Sequence, residues 1–294
     1  LEEGVFKSWY DNGQLMTTTP YKDGKINGLL KSLNENGELT FFGNYSNGIE
    51  DGVFKSWRDN GQLVEEGNYK NGKKTGEHKR YHYGNGKLWK IGTYNDGVKE
   101  GVFKTWFENG QLKNEENYKN GELNGKKKSF HKNGQLAIFV NFTDGFRERK
   151  HYYANGQLKE EITFKKGKIE EASKEWYENG ALKSFGPYSS NGWEIGEWKY
   201  YHENGQLKAI KNHSDNFTGE WKYYHVNGRS YQVHLFKENK LMEILSCFDR
   251  NGNSLDKGTL KDGNGTINFY DFDGKLVKVT TYVNGEFRSN DLKD

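Results

Sequence analysis

The segment Gly67-Asn68-Tyr69-Lys70-Asn71-Gly72-Lys73-Lys74 comes within one residue of a phosphate-binding loop. Such a loop needs a hydroxyl after its lysine and a following helix whose N-terminal amides face the phosphate. Lys74 stands at the hydroxyl position and nothing around it is patterned as a helix, so the segment reads as a hairpin turn. Asp249-Arg250-Asn251-Gly252-Asn253 imitates the start of a calcium loop, but its glycine comes early and the distal glutamate is missing. His82, His131, His202 and His225 lie just ahead of glycine turns. Equivalent positions two strands apart are separated by about 10 Å, whereas zinc needs each ligand nitrogen within about 2.1 Å. Shared metal coordination is therefore not expected. No serine, cysteine or lysine nucleophile has a base placed beside it by the pattern. The expectation is a non-enzymatic chain with no cofactor and no metal.

One set of side chains does suggest recognition. Tyr153, Tyr177, Trp198, Tyr200, His202, Trp221, Tyr223 and His225 are read as lying on one side of four consecutive segments. Earlier segments carry Ser8, Ser32, Ser56, Arg58, Arg80, Thr105 and Ser129 there instead. Aromatic side chains dominate interface hot spots, and a contiguous exposed patch marks a contact surface. These eight residues form the candidate partner-binding patch. The competing reading is that the strands cover the rings themselves.

The elements that must position them follow from a repeat. Turn glycines recur at Gly13, Gly37, Gly61, Gly86, Gly110, Gly134, Gly156, Gly180, Gly205, Gly228, Gly252 and Gly274, spaced 22 to 25 residues apart. A fixed period of this length signals an array of small units. Each unit holds two extended runs and a second turn, as at Asn47-Gly48, Asn71-Gly72, Asp96-Gly97, Asn120-Gly121, Asp144-Gly145, Asn191-Gly192 and Asn284-Gly285. Asn-Gly and Asp-Gly supply the positive φ that tight hairpins need. Only Pro20 and Pro187 interrupt the strands. The expected fold is all-β: an elongated, twisted, single-layer antiparallel meander of about 24 strands, built from 12 tandem hairpin repeats. Residues 1–294 form a single array, with degenerate capping repeats over about 228–294.

Alternation predicts which face is the core. The aromatics before the turns (Trp9, Trp57, Tyr81, Trp106 and their equivalents) oppose leucines after them (Leu15, Leu63, Leu88, Leu112). Tyr21, Tyr45, Tyr69, Tyr94 and Tyr118 are assigned to the same row. Lys7, Lys31, Lys55, Lys79 and Lys104 share that face, their stems expected to lie over rings while the ammonium reaches water. Entry glycines such as Gly52, Gly76 and Gly101 are expected to leave room for a ring from the adjacent strand.

Composition agrees with a thin core. Hydrophobic residues make up 32% and charged residues 29%, yet 15% are Phe, Trp or Tyr, which a disordered chain would lack. The 44 basic and 41 acidic residues give a net charge of +3 and alternate without a basic block, so no nucleic-acid partner is expected. No stretch is long and apolar enough for a transmembrane segment. The single Cys247 excludes an internal disulfide framework and leaves the compartment open. Leu1-Glu2-Glu3-Gly4 matches Ile49-Glu50-Asp51-Gly52 inside a repeat, which suggests a trimmed chain whose signal peptide or lipid anchor would lie upstream.

The units Gly-Val-Phe-Lys-Ser-Trp-Arg-Asp-Asn-Gly-Gln-Leu (52–63) and Gly-Glu-Trp-Lys-Tyr-Tyr-His-Glu-Asn-Gly-Gln-Leu (196–207) resemble the MORN repeat, in its bacterial variant form. The resemblance spans essentially the whole chain and fades at the end, where Ser230 and Ser254 replace the leucine. It implies a non-enzymatic repeat scaffold mediating protein–protein interaction, envelope-associated or secreted in a host-associated bacterium. Two other readings stay open: an antitoxin or immunity protein neutralising a cognate toxin, and a membrane-surface or glycan binder.

Overall fold

The computed structural model describes residues 1–143, 146–165, 168–169, 173–189 and 191–292, and the expected turn at Asp144-Gly145 lies outside them. Two units divide the chain, Leu1–Thr143 and Asp144–Asp294. Among the described residues every regular element is a β-strand. In the first unit, strands such as Ile49–Trp57, Leu63–Lys70, Lys73–Tyr81, Leu88–Asn95 and Val98–Trp106 each pair antiparallel with the next.

Two turn types alternate. At Asn71-Gly72 both residues have positive φ, 49° and 77°, the two-residue hairpin that asparagine and glycine were expected to make. At the other turn the Arg58 amide donates to Gln62 O (2.9 Å) and the Gly61 amide to Arg58 O (2.9 Å). This longer turn has a consequence for the faces. Ser56 pairs with Glu65 but Trp57 pairs with Leu63, so one extra residue is inserted in the second strand. The predicted tryptophan–leucine neighbours are therefore present, as also at Trp9–Leu15 and Trp106–Leu112.

The same bulge corrects the core assignment. A one-residue shift transfers every following side chain to the opposite face. Tyr69, Tyr94 and Tyr118 thus join Phe54, His78 and Phe103 rather than the tryptophans. Their rings form an edge-to-face ladder, with centroids 5.0 Å apart for Phe54–Tyr69, 5.2 Å for His78–Tyr94, 5.3 Å for Tyr94–Phe103 and 5.2 Å for Phe103–Tyr118. This is the deeply buried face of the first unit; Phe103 is 3% exposed. The tryptophan–leucine face is half-buried, and Trp9 is exposed. Lysines on that face reach glutamates of the facing strand instead of rings, as in Lys55–Glu66 (2.9 Å) and Lys104–Glu115 (3.4 Å).

The glycines under the rings are also not the expected ones. A Cβ on Gly92 would lie 2.2 Å from the Phe103 ring, and one on Gly67 would lie 2.4 Å from His78. Gly76 and Gly101, two entry glycines, have nothing within 4 Å; their role is a backbone φ of 67° and 74°.

In the second unit, Trp198 continues this pattern over Gly186, where a Cβ would lie 2.3 Å from the indole. Strands Ser230–Lys237 and Lys240–Cys247 follow. The last three strands, Gly265–Tyr270, Leu276–Val283 and Glu286–Leu292, form a separate sheet. Leu241, Ile244, Leu260 and Ile267 form a cluster with Phe236, Phe269 and Tyr282 packed against it. At about 25 cal/mol per Å² of apolar surface removed from water, this cluster contributes to the stability of the second unit.

Candidate binding site

The eight patch residues divide into two kinds. Tyr153, Tyr177, His202 and His225 each begin a longer turn, and each fastens it to the following repeat. Tyr153 Oη donates to Trp176 O (2.9 Å) and Tyr177 Oη to Tyr201 O (2.8 Å). His202 Nε2 bonds Tyr224 O (3.1 Å) and His225 Nε2 bonds Phe248 O (2.8 Å). Tyr10 and His82 do the same at Leu33 O and Trp106 O. Beside them, Asn109 Nδ2 donates to Lys132 O (3.1 Å) while its Oδ1 accepts from the Gln111 amide (3.0 Å). The pre-turn histidines and tyrosines are thus inter-repeat staples, which satisfy carbonyls that would otherwise face water.

Trp198, Tyr200, Trp221 and Tyr223 lie on the same face as the ring ladder. Trp198 is 1% exposed, and its Nε1 donates to Pro187 O (2.9 Å). Trp221 Nε1 donates to Asn212 O (3.1 Å), and its ring lies 4.4 Å from Phe236. Tyr223 packs against His234 at 4.7 Å. Trp221 lines an open cleft.

That cleft opens where the hairpin rhythm fails. Asn191-Gly192, expected to be a two-residue turn, takes the longer form: Ser189 N donates to Trp193 O (2.8 Å) and Gly192 N to Ser189 O (3.0 Å). Between strands Leu207–His213 and Gly219–Tyr224 the connection has no Asn-Gly, and runs through Ser214-Asp215-Asn216-Phe217-Thr218. Asn239 pins this loop, taking the Phe217 amide on Oδ1 (3.0 Å) and donating its own amide to Phe217 O (2.9 Å). Together they frame a cavity of about 770 Å³ whose lining includes Trp193, Glu194, Asp215, Phe217, Trp221 and Phe236. Trp193 is 75% exposed. Trp193, Glu194, Asp215 and Phe217 were missed because they lie outside the repeat register; the broken turn spacing was the one signal that could have found them.

The polar wall is organised around Glu194. Its Oε2 accepts from Tyr200 Oη (2.9 Å) and lies 3.1 Å from His213 Nε2. Burial and the hydrogen bond to Glu194 hold the Tyr200 phenol protonated well above its ordinary range. Burial lowers the His213 pKa, although Glu194 pulls the other way. Lys211 Nζ lies over the Trp221 ring at 5.0 Å, and burial lowers its pKa.

The near-motifs are occupied by contacts within the repeats. Lys74 Nζ pairs with Glu65 at 2.9 Å. Asp249 Oδ1 accepts the amides of Asn251 (2.8 Å) and Asn253 (2.8 Å). Among the described residues no group of three acidic, histidine or cysteine side chains is placed to hold a metal.

Paired hairpins, alternating turns and turn-to-turn staples define a tandem β-hairpin repeat protein. The family described as "MORN repeat variant" matches residues 2–23, 50–71, 99–120, 148–166 and 194–215. The chain thus carries MORN-variant repeats, of a family that is typically non-catalytic. No curated protein matches its sequence. Among solved structures it is similar to TarM, at 13% identity and a TM-score of 0.24 over 39% of this chain and 20% of that one. It is also similar to the TcdB2-TccC3-Cdc42 structure, at 11% identity and a TM-score of 0.20 over 95% of this chain and 18% of that one. The chain spans about a fifth of the length of either, and scores of this size define neither fold nor function.

Proposed function

We propose that the chain is a non-enzymatic scaffold that binds a protein partner, with the cleft around Trp193 and Trp221 as the contact surface. On this reading residues 228–294 cap the array. The observation that carries the proposal is Trp193 itself: a large indole left 75% exposed on a turn closed by backbone hydrogen bonds, at the edge of an aromatic-lined cavity. Tryptophan, with tyrosine and arginine, is enriched among the residues that anchor binding hot spots. Repeat scaffolds of this kind commonly bind proteins, which agrees. An envelope or secreted setting, or neutralisation of a toxin, would follow from the partner's identity.

The test is capture of a partner from the source cells on immobilised chain, repeated with Trp193→Ala and with Tyr83→Ala. Tyr83 is 81% exposed and lies in the first unit, so it controls for loss of any exposed ring. The expected result is a partner retained on Tyr83→Ala and lost on Trp193→Ala, the loss amounting to about 2 kcal/mol or more. Equal retention on both variants would overturn the proposal.

A further inference from the structure

Resting on that contact surface, we infer that its occupant is a basic segment of the partner: an arginine or lysine side chain seated against the Trp193, Phe217 and Trp221 rings, its charge answered by Glu194 and Asp215. The chain has 44 lysines and arginines, yet none lines this cavity, whereas two carboxylates do. The Asp215 carboxylate makes no ion pair among the described residues. Its position is nonetheless set, because Asn239 Nδ2 donates to Asp215 O and Asn239 also holds Phe217. Among the described residues Glu194 spends only Oε2 on Tyr200 and His213, which leaves Oε1 for a ligand. A cation over an aromatic face gains attraction from the ring quadrupole, more so where water is excluded, and a facing carboxylate adds to it. Lys211 sits against the Trp221 ring at 5.0 Å but does not line the cavity.

The test uses the full chain. Its probes are an acetylated Gly-Arg-Gly peptide and the same peptide carrying citrulline, which keeps the shape and loses the charge. Binding is read from the indole N–H resonance of Trp193. The arginine peptide should shift it saturably, with the citrulline peptide weaker by about fivefold or more. Glu194→Gln combined with Asp215→Asn should bring the arginine peptide down to the citrulline level. Asp215→Asn alone, at an exposed residue without an ion pair, should lower binding in part without affecting the fold. Equal binding of both peptides, no saturable shift with either, or a saturable shift with an uncharged oligosaccharide in place of the arginine peptide would each overturn the inference. The captured partner separates the two failures. A partner lost on Trp193→Ala but indifferent to the double carboxylate variant and to added salt would leave the contact surface standing and remove its basic occupant. A partner indifferent to Trp193→Ala would remove the surface itself.

Discussion

Gly92 and Phe103 are best understood together. The ring occupies the space that a Cβ on Gly92 would take, at 2.2 Å, and both belong to the ladder that runs from Phe54 to Tyr118. Gly92→Ala should therefore destabilise the first unit by about 1–3 kcal/mol through overpacking. Phe103→Leu, which removes the edge of the ring, should recover part of that loss in the double variant. Urea unfolding of the four chains of this cycle measures the coupling, and additive effects would show that the contact carries no energy. The sequence alone did not reveal this pair. Glycines and aromatics are both plain in it, but matching Gly92 to Phe103 requires the register, and the register depends on a bulge without a residue signature. The Asn-Gly turns were legible for the opposite reason. Positive φ at two consecutive positions is a local demand that few residue types meet, so residue identity and geometry coincide there.

Strands carry the second lesson. Both faces of Ile49–Trp57 hold aromatics, Phe54 on one and Trp57 on the other, so alternation cannot say which is buried. The answer depends on the extra residue after Trp57, and the tyrosines changed sides with it. Trp198 and Trp221 were placed in a candidate patch by the same reasoning, and they turn out to occupy the position of Phe54. Strand Ser230–Lys237 offers a test of burial on this face. His234 lies there against Tyr223, bonded to Gln232 Oε1 (3.0 Å), and burial with Lys211 nearby lowers its pKa to about 4. In the unfolded chain the imidazole titrates near its ordinary value of about 6.5. Between these values the unfolded chain binds a proton that the folded chain excludes. The contribution is therefore complete above about pH 6.5 and is lost as pH falls toward 4, by about 3 kcal/mol. His234→Gln should flatten this part of the stability profile followed by fluorescence. Some slope will remain, because burial also lowers the pKa of His78 and His213. An unchanged profile would mean that His234 is hydrated in the folded protein.

Within Leu1–Thr143 the substantial contacts run between successive strands, and the staples reach one repeat onward. Such a stack behaves as a chain of nearest-neighbour terms, with local openings rather than one global event. Amide hydrogen exchange of Gly92→Ala should show lost protection in strands Lys73–Tyr81, Leu88–Asn95 and Val98–Trp106. Strands Gly4–Trp9 and Leu15–Lys22 should exchange as in the parent chain. Uniform loss over the whole unit would indicate a single cooperative block instead.

Each staple also sets a rule for how such a molecule can change length. Tyr10, His82, Tyr153 and His202 all reach a carbonyl 22 to 24 residues further along. Slippage of the coding sequence by one full period would hand every donor an equivalent acceptor and keep the ring ladder in phase. A one-residue insertion inside a strand would instead turn the rings that follow it to the opposite face, whereas the turns already accept periods of 22 to 25 residues. Descendants of this chain can therefore lengthen or shorten by whole repeats without disturbing the rest, as a zip fastener gains or loses whole teeth.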